Sequence, residues 1–538
     1  MSPTFLFSAS AFLLLLVLVG AKVLKIGSRP SNLPPGPKTK PVWGNLGQFN
    51  ILFPQYKYTE WAKQFGPVYT VMQGDTPHLV VSRADEAREI FVKQGANTQG
   101  RGSQRFQVEA MRDGFFPSLM EGPKWREARK MWASVLSPGP AKQYIFYQEM
   151  EAHALLHDVV KNPAAWRQHI ERYANSIAMT MVNGQRVKNA DDECIKDTIQ
   201  DLFDMSEIGM RGAVLDLWPF LWKLPKFIFP VFKEARRCAK KHRAFILKYW
   251  NGVKDSVAQG TAIPSFNKAI NDKLVHGYKN VTELEAAEIG YTLLTGTTDT
   301  TSCSLINFVA AICLNPEPQR KAQEEIDRVV GRDRLPEESD APNLLYTRQL
   351  ILEAARWITT VPLALPKSSN GPVRWRGYDI PSGTGLVLNS YAIHRDPDLF
   401  PSPERFEPER WAGRLDAASP SADEQILFTF GTGRRICPGQ HLAERSLFIV
   451  ISRWLWAFDT HQAKDERGRK LPINIDDLRP GFITCVNPFK AEVRPRDEGR
   501  AKFVLESWQR ERERWLDEDE QWKSTPEGVA NLLKKIGG

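Results

Sequence analysis

A mainly helical fold with a small β part, preceded by one transmembrane helix, is what the sequence predicts. Four features carry that expectation. Residues 282–314 form a long, apolar-rich stretch without proline, and Asn315-Pro316 then supplies a stop signal. Residues 319–330 and 346–359 read as amphipathic helices. The texture changes over residues 374–388, where Gly377-Tyr378-Asp379-Ile380-Pro381-Ser382-Gly383 sets short strand-like pieces between turn residues. The helix before the fold comes from the N-terminus. The first 21 residues carry no charged side chain, and residues 4–21 are dominated by Leu, Phe, Val and Ala. A spanning helix needs about 20 such residues.

A cleaved signal peptide would place positive charge before the apolar run, whereas Lys22, Lys25 and Arg29 follow it. The positive-inside rule then keeps the rest of the chain in the cytosol. A retained anchor over residues 1–25 is the reading, although Val19-Gly20-Ala21 would also suit a peptidase. Leu33-Pro34-Pro35-Gly36-Pro37 makes residues 26–50 a stiff, extended hinge, because proline fixes φ and removes a donor. No second linker, repeat or low-complexity tract follows, so residues 51–495 read as one large domain. Residues 496–538 are densely charged. There Trp508, Trp515 and Trp522 recur every seven residues, a narrow apolar stripe on a helix that docks against the protein's own surface.

Composition excludes several classes. A net charge of +9 over 538 residues is modest, and no Lys/Arg cluster interleaved with aromatics stands out, which argues against nucleic-acid binding. The six cysteines (Cys194, Cys238, Cys303, Cys313, Cys437 and Cys485) form no CxxC pair, so iron–sulfur and structural zinc sites lack support.

One string carries chemistry: Phe430-Gly431-Thr432-Gly433-Arg434-Arg435-Ile436-Cys437-Pro438-Gly439. Glycines at 433 and 439 let backbone N–H groups approach a sulfur closely. Residues 440–447 read as a helix, whose positive N-terminal end lowers the pKa of a thiol placed there. Arg435 lies two residues from Cys437 and can meet a carboxylate, and Phe430 offers an apolar cover. A thiolate held this way suits haem iron, where it favours O–O cleavage. A Gly-rich turn with a buried structural cysteine is the bland alternative, and the length of the string weighs against it.

The string matches the haem-binding signature Phe-x-x-Gly-x-Arg-x-Cys-x-Gly, and the chain resembles the cytochrome P450 superfamily in its microsomal, eukaryotic and fungal style. The other landmarks follow in that family's order. Glu353-Ala354-Ala355-Arg356 resembles its Glu-x-x-Arg motif. A second arginine then completes a buried structural network: Arg410 by the better alignment, with Arg405 as the alternative. Gly296-Thr297-Thr298-Asp299-Thr300-Thr301 resembles the oxygen-activation motif, with Thr297 where the family usually has Gly. The resemblance implies that Thr300 hydrogen-bonds the dioxygen and Asp299 helps deliver protons. Trp125 and Arg129, one turn apart, resemble the pair that meets a haem propionate, and Lys367 sits where relatives carry a propionate-binding His or Arg.

The resemblance therefore implies the triangular-prism cytochrome P450 fold and haem b with axial Cys437. It further implies electrons from NADPH-cytochrome P450 reductase, with cytochrome b5 as a further donor, and a catalytic domain facing the cytosol on the endoplasmic reticulum membrane. The reaction implied is insertion of one oxygen atom from O₂ into a small apolar or aromatic substrate, as in fungal secondary metabolism. Four segments, 101–116, 215–232, 289–301 and 361–365, line the pocket by that analogy, with 482–486 near it. They supply Phe106, Phe115, Phe116, Trp218, Phe220, Trp222, Leu293, Val361, Leu363 and Leu365. An O₂-independent haem-thiolate isomerase or dehydratase is the first alternative, opposed by the presence of Asp299-Thr300. A catalytically silent haem-binding protein is the second, opposed by intact motifs around Cys437 and Glu353.

Overall fold

The computed structural model describes residues 20–102, 104–112, 114–415 and 425–537. Its centre is a 32-residue helix, Glu283–Leu314, here α8. Thr282 starts it with a reciprocal cap: its hydroxyl accepts from the Glu285 N–H at 3.2 Å, and the Glu285 carboxylate accepts from the Thr282 N–H at 2.8 Å. Apolar residues lie on all its faces, and most of the helix is buried. It packs against Trp166–Asn183 (α4), Phe266–Val275 (α7), Leu345–Trp357 (α10) and Gln440–Ala457 (α11).

The other long helices are Pro54–Phe65 (α1), Gly122–Leu136 (α2), Ile145–Lys161 (α3), Glu193–Gly212 (α5), Val231–Ala258 (α6) and Pro316–Val329 (α9). The helices expected over 282–314, 319–330 and 346–359 are α8, α9 and α10, each within three residues of its expected ends.

The β part is larger than the sequence suggested. Val68–Gln73 (β1), Thr76–Val81 (β2), Lys367–Ser368 (β3) and Gly385–Leu388 (β6) form a four-stranded sheet in the order β1-β2-β6-β3. Only the β2–β6 pair is parallel, with His78 opposite Gly385. Val373–Trp375 (β4) and Tyr378–Ile380 (β5) make a hairpin, and Phe458–Gln462 (β7) pairs with Ala491–Pro495 (β8). β1 and β2 went unread because their near-continuous burial hides the alternation, and β7 and β8 because a long stretch of chain separates the two partners.

The proline-rich stretch lies against the sheet: the Thr70 N–H donates to the Pro35 carbonyl at 2.9 Å, and the Asn45 side chain donates to the Lys38 carbonyl at 3.2 Å. The expected anchor falls almost entirely outside the described residues, of which 20–25 are helical. No helix among the described residues is long and apolar enough to cross a membrane.

The charged C-terminal segment is part of the core. Glu498–Trp515 (α12) packs on α3, and Glu527–Gly537 (α13) packs on α7. The seven-residue tryptophan repeat does not run along one helix. α12 ends at Trp515, the chain turns, and Trp522 returns through a bridge to Leu516. Trp508 and Trp522 are buried, and the Trp522 indole donates to the Thr180 hydroxyl at 3.0 Å.

Candidate active site

A cavity of about 670 Å³ lies between the start of α11 and one face of α8. Cys437 is on one side. The turn before it needs glycine twice: Gly431 and Gly433 have φ of 73° and 68°. A Cβ on Gly433 would stand 2.1 Å from the Phe91 carbonyl oxygen. The Cys437 N–H donates to the Phe430 carbonyl at 3.0 Å, which closes the loop. Burial pushes the Cys437 thiol up; opposing it are the N–H groups of Gly439 and Gln440, which point at the sulfur from the start of α11, and the nearby Arg129 guanidinium.

Four cations meet along the cavity edge: Arg101, Arg129, Lys367 and Arg435. The Arg435 guanidinium lies flat on the Trp125 ring, 3.7 Å from its centre. Its Nε donates to the Gln99 carbonyl and its Nη2 to the Met120 carbonyl, both at 2.8 Å. Its Nη1 is buried without a partner. β3 holds Lys367, whose ammonium donates to the Thr432 carbonyl at 2.9 Å. Burial pushes Lys367 down to about 7, and Arg101 and Arg435 add to the effect. Arg101 is pushed down to about 9 by burial and then by Arg435, with Glu121 as its acidic counterpart.

On the α8 side, Thr300, Thr297, Gly296 and Leu293 line the cavity. The Thr300 hydroxyl donates to the Gly296 carbonyl at 2.7 Å. Asp299 turns away from the cavity and takes Arg479 Nη2 at 2.8 and 2.9 Å on its two oxygens. Thr297 does not break the helix, and its hydroxyl donates to the Leu293 carbonyl at 2.9 Å.

Beneath the cavity, Arg356 donates to both oxygens of Glu353 at 2.9 and 2.7 Å, and both side chains are fully buried. Arg410 Nε reaches Glu353 at 3.1 Å, and the Trp411 indole reaches it at 2.9 Å. Arg405 contributes its backbone carbonyl to Arg356, at 3.0 Å.

The family model Cytochrome P450 matches residues 34–483. The chain belongs to the cytochrome P450 family. It is 56% identical to cytochrome P450 monooxygenase alnH of Emericella nidulans, over 98% of this chain and 96% of that one. Cytochrome P450 monooxygenase virE of Hypocrea virens is 34% identical over 96% of this chain and 94% of its own. Cytochrome P450 monooxygenase fogE of Aspergillus ruber is 34% identical over 97% and 98%. With relatives this near over almost the whole length, the chain is a cytochrome P450 monooxygenase.

Family membership implies a haem with a cysteine thiolate, and the residues present fit that group. The cavity holds one sulfur that receives two N–H groups. Its edge holds four cations: burial and then Arg435 press Arg101 down, burial and then Arg101 and Arg435 press Lys367 down, and burial and then Arg129 press Arg435 down. It also holds a buried guanidinium nitrogen without a partner, with Glu121 as the nearby acid. Such an edge calls for anions, and a haem brings two propionates.

Among the residues expected at the site, Cys437, Phe430, Gly439, Arg435, Trp125, Arg129, Lys367 and Thr300 line the cavity. Asp299 does not. Of the pocket side chains expected, Leu293, Val361 and Leu365 line it, together with Phe482. The aromatic ones belong elsewhere. Phe106 packs on Phe232 and against Gly212, where an added Cβ would stand 1.9 Å from its ring. Trp218 is edge-on to Trp43 and donates to the Val42 carbonyl at 2.9 Å. Arg101 and Arg479 went unread, since an arginine outside any local pattern gives no signal of what it meets 180 residues away.

Proposed function

We propose that this monooxygenase is a membrane-anchored enzyme of fungal secondary metabolism. It takes two electrons from NADPH-cytochrome P450 reductase, with cytochrome b5 as a further donor, and inserts one atom of O₂ into a small organic molecule with an apolar or aromatic body. The observation that carries the reading is the opposition of Cys437 and Thr300 across one cavity whose walls include Leu293, Val361, Leu365 and Phe482. The apolar part of these walls suits an apolar body.

Haem b bound through the Cys437 thiolate supplies the oxygen activation. Around it, Arg101, Arg129, Lys367, Arg435 and Trp125 hold the propionates, and Phe430 and Gly439 shield the sulfur. The Thr300 O–H is committed to Gly296, so its lone pairs face the cavity and accept a hydrogen bond from a protonated oxygen there. Asp299 holds a carboxylate one residue away and passes protons toward that point. Glu353, Arg356 and Arg410 brace the core. The chain divides into an anchor (1–25), a hinge (26–50), the catalytic domain (51–495) and an extension (496–538), and it sits on the endoplasmic reticulum with the catalytic domain in the cytosol. The Asp299-Thr300 pair favours this reading over an isomerase or dehydratase.

The test is the spectrum of the reduced protein with carbon monoxide, followed by NADPH and O₂ consumption with added reductase. A thiolate-type Soret shift that disappears in Cys437→Ala is expected, as is reductase-dependent turnover. A shift that survives the substitution would overturn the ligand assignment. A normal spectrum without turnover would favour the isomerase or dehydratase, or a catalytically silent haem-binding protein. Deleting residues 1–25 is expected to release a spectrally normal protein from membranes.

A further inference from the structure

Five hydroxyls on α8 line the cavity, Thr292, Thr297, Thr300, Thr301 and Ser304, and all but Thr301 have their hydrogens committed within the helix. Thr292 donates to the Glu288 carbonyl at 2.9 Å, Thr297 to Leu293 at 2.9 Å, Thr300 to Gly296 at 2.7 Å and Ser304 to Thr300 at 2.8 Å. A carbonyl oxygen has no hydrogen to give, so the hydroxyl is the donor in every pair. A hydroxyl has one hydrogen and two lone pairs. With the hydrogen spent inside the helix, only lone pairs remain to face a ligand. This wall of the cavity therefore offers acceptors.

Position sorts the four. Residues 292, 296, 300 and 304 follow at intervals of four and share one face, and Leu293 and Thr297 stand on the adjoining row. Gly296 leaves a gap in the first row, because a Cβ there would have nothing within 4 Å. Thr292 and Thr297 flank that gap. Of the cationic donors lining the cavity, Arg101, Arg129, Lys367 and Arg435 belong to the edge beside Cys437, and Arg348 and Arg445 stand on α10 and α11, away from this wall. Of the two amides lining the cavity, Asn307 spends its Nδ2 hydrogens on the Thr360 hydroxyl and the Thr484 carbonyl, at 3.3 and 3.2 Å, and Gln440, at the start of α11, donates to the Glu444 carboxylate at 2.9 Å.

We propose that Thr292 and Thr297 are specificity-determining residues that select a substrate carrying a free alcoholic or phenolic O–H on an otherwise apolar body. The inference rests on the monooxygenase reading and names the substrate class of that same cavity. An O–H group meets these lone pairs with no loss inside the helix. An ether or ketone of the same shape brings only acceptors. It must either turn a threonine away from its helix carbonyl or bury its own oxygen without a partner.

The experiment titrates the full-length holoenzyme at pH 7 with 2-naphthol and with 2-methoxynaphthalene and follows the Soret shift. 2-Naphthol is expected to bind about ten-fold more tightly, equivalent to about 1.4 kcal/mol. The double variant Thr292→Val, Thr297→Val keeps the side-chain shape and removes both oxygens, so it is expected to bind the two probes equally. The variant Thr292→Ser, Thr297→Ser is expected to retain the preference. Where the double valine variant loads too little haem, the single valine variants are each expected to lose part of the preference. Equal affinities in the wild type, or a ten-fold preference that survives both valines, would overturn the proposal. The carbon monoxide spectrum of each variant separates this outcome from failure of the haem-thiolate reading, because a normal spectrum leaves that reading intact.

Discussion

The Asp299 carboxylate and the Arg479 guanidinium form an ion pair through a single nitrogen, Nη2, at 2.8 and 2.9 Å, on the side of α8 that faces away from the cavity. Cys303 adds a thiol at 3.5 Å from Asp299. Asp299 and Thr300 are thus adjacent in sequence but point in different directions, so a proton must pass from one to the other by a movement of Asp299 or through water. Asp299→Asn is expected to keep haem and the carbon monoxide spectrum and to slow turnover about 100-fold, the lower range of a lost general acid. Thr300→Ala is expected to keep NADPH consumption but release the reduced oxygen as peroxide. Equal coupling of NADPH to product in Thr300→Ala and wild type would remove Thr300 from its assigned role.

The two candidate arginines after α10 separate cleanly. Arg410 brings its side chain to Glu353, and Arg405 brings only its carbonyl to Arg356. Arg405→Lys is therefore expected to be neutral within about 0.5 kcal/mol, as at other surface positions. Arg410→Ala leaves part of a buried carboxylate uncompensated and is expected to cost about 3 kcal/mol. Arg356→Ala is expected to exceed it, since Arg356 also donates to the His394 and Pro403 carbonyls at 2.9 and 2.8 Å. Thermal melting and haem content of the purified variants check the order. A destabilised Arg405→Lys with an unaffected Arg410→Ala would reverse the assignment.

The long helices and the thiolate loop were legible because their signals are local. A 33-residue stretch without proline from Thr282 ends at Asn315, and the Cys437 string contains its turn glycines, its helix start and its sulfur together. The rest depends on chain folding back from far away. β2 pairs with β6 across some 300 residues, and Arg101 reaches the Pro366 carbonyl across 265. Aromatic density misled the pocket reading. Phe106 and Trp222 are rich in apolar surface, and that surface is spent on Phe232 and its neighbours instead of on a ligand.

A second buried charge cluster joins four segments of the chain. His242 on α6 meets Asp201 on α5 at 3.0 Å and Glu288 on α8 at 2.8 Å, with Arg112 at 2.7 Å from its Nε2. Arg112 also pairs with Glu288, and the Tyr291 hydroxyl donates to Asp201. Burial and Arg112 press His242 downward, but the hydrogen bonds to Asp201 and Glu288 outweigh them and its pKa is raised. Its contribution is then fully present below the ordinary histidine value of about 6.5 and is lost as pH rises through the raised value. Asp201 and Glu288 are held low, so their contributions are present above the ordinary carboxylate range and lost in acid. Melting curves of wild type and His242→Gln should differ most near pH 6 and converge as pH rises. A difference that grows with pH would refute the charged-histidine clasp.

The C-terminal segment gives the last prediction. Trp522 is 3% exposed; its ring lies 4.7 Å from that of Tyr147, and its indole donates to Thr180. Trp515 stacks edge-on to Phe146 at 4.7 Å but keeps part of its surface in solvent. Trp522→Ala removes a large buried ring and is expected to cost about 3–5 kcal/mol. Trp522→Phe keeps most of the apolar contact but loses the indole donor, leaving the Thr180 hydroxyl only its bond to the Gln185 carbonyl, for a cost of about 1 kcal/mol. Because α12 rests on α3 and α13 on α7, and neither Trp515 nor Trp522 lines the cavity, the folded variants should show an unaltered carbon monoxide spectrum at low temperature and a lower melting temperature. If Trp522→Ala melted like the wild type, the segment would be an appendage and not a brace of the helical core.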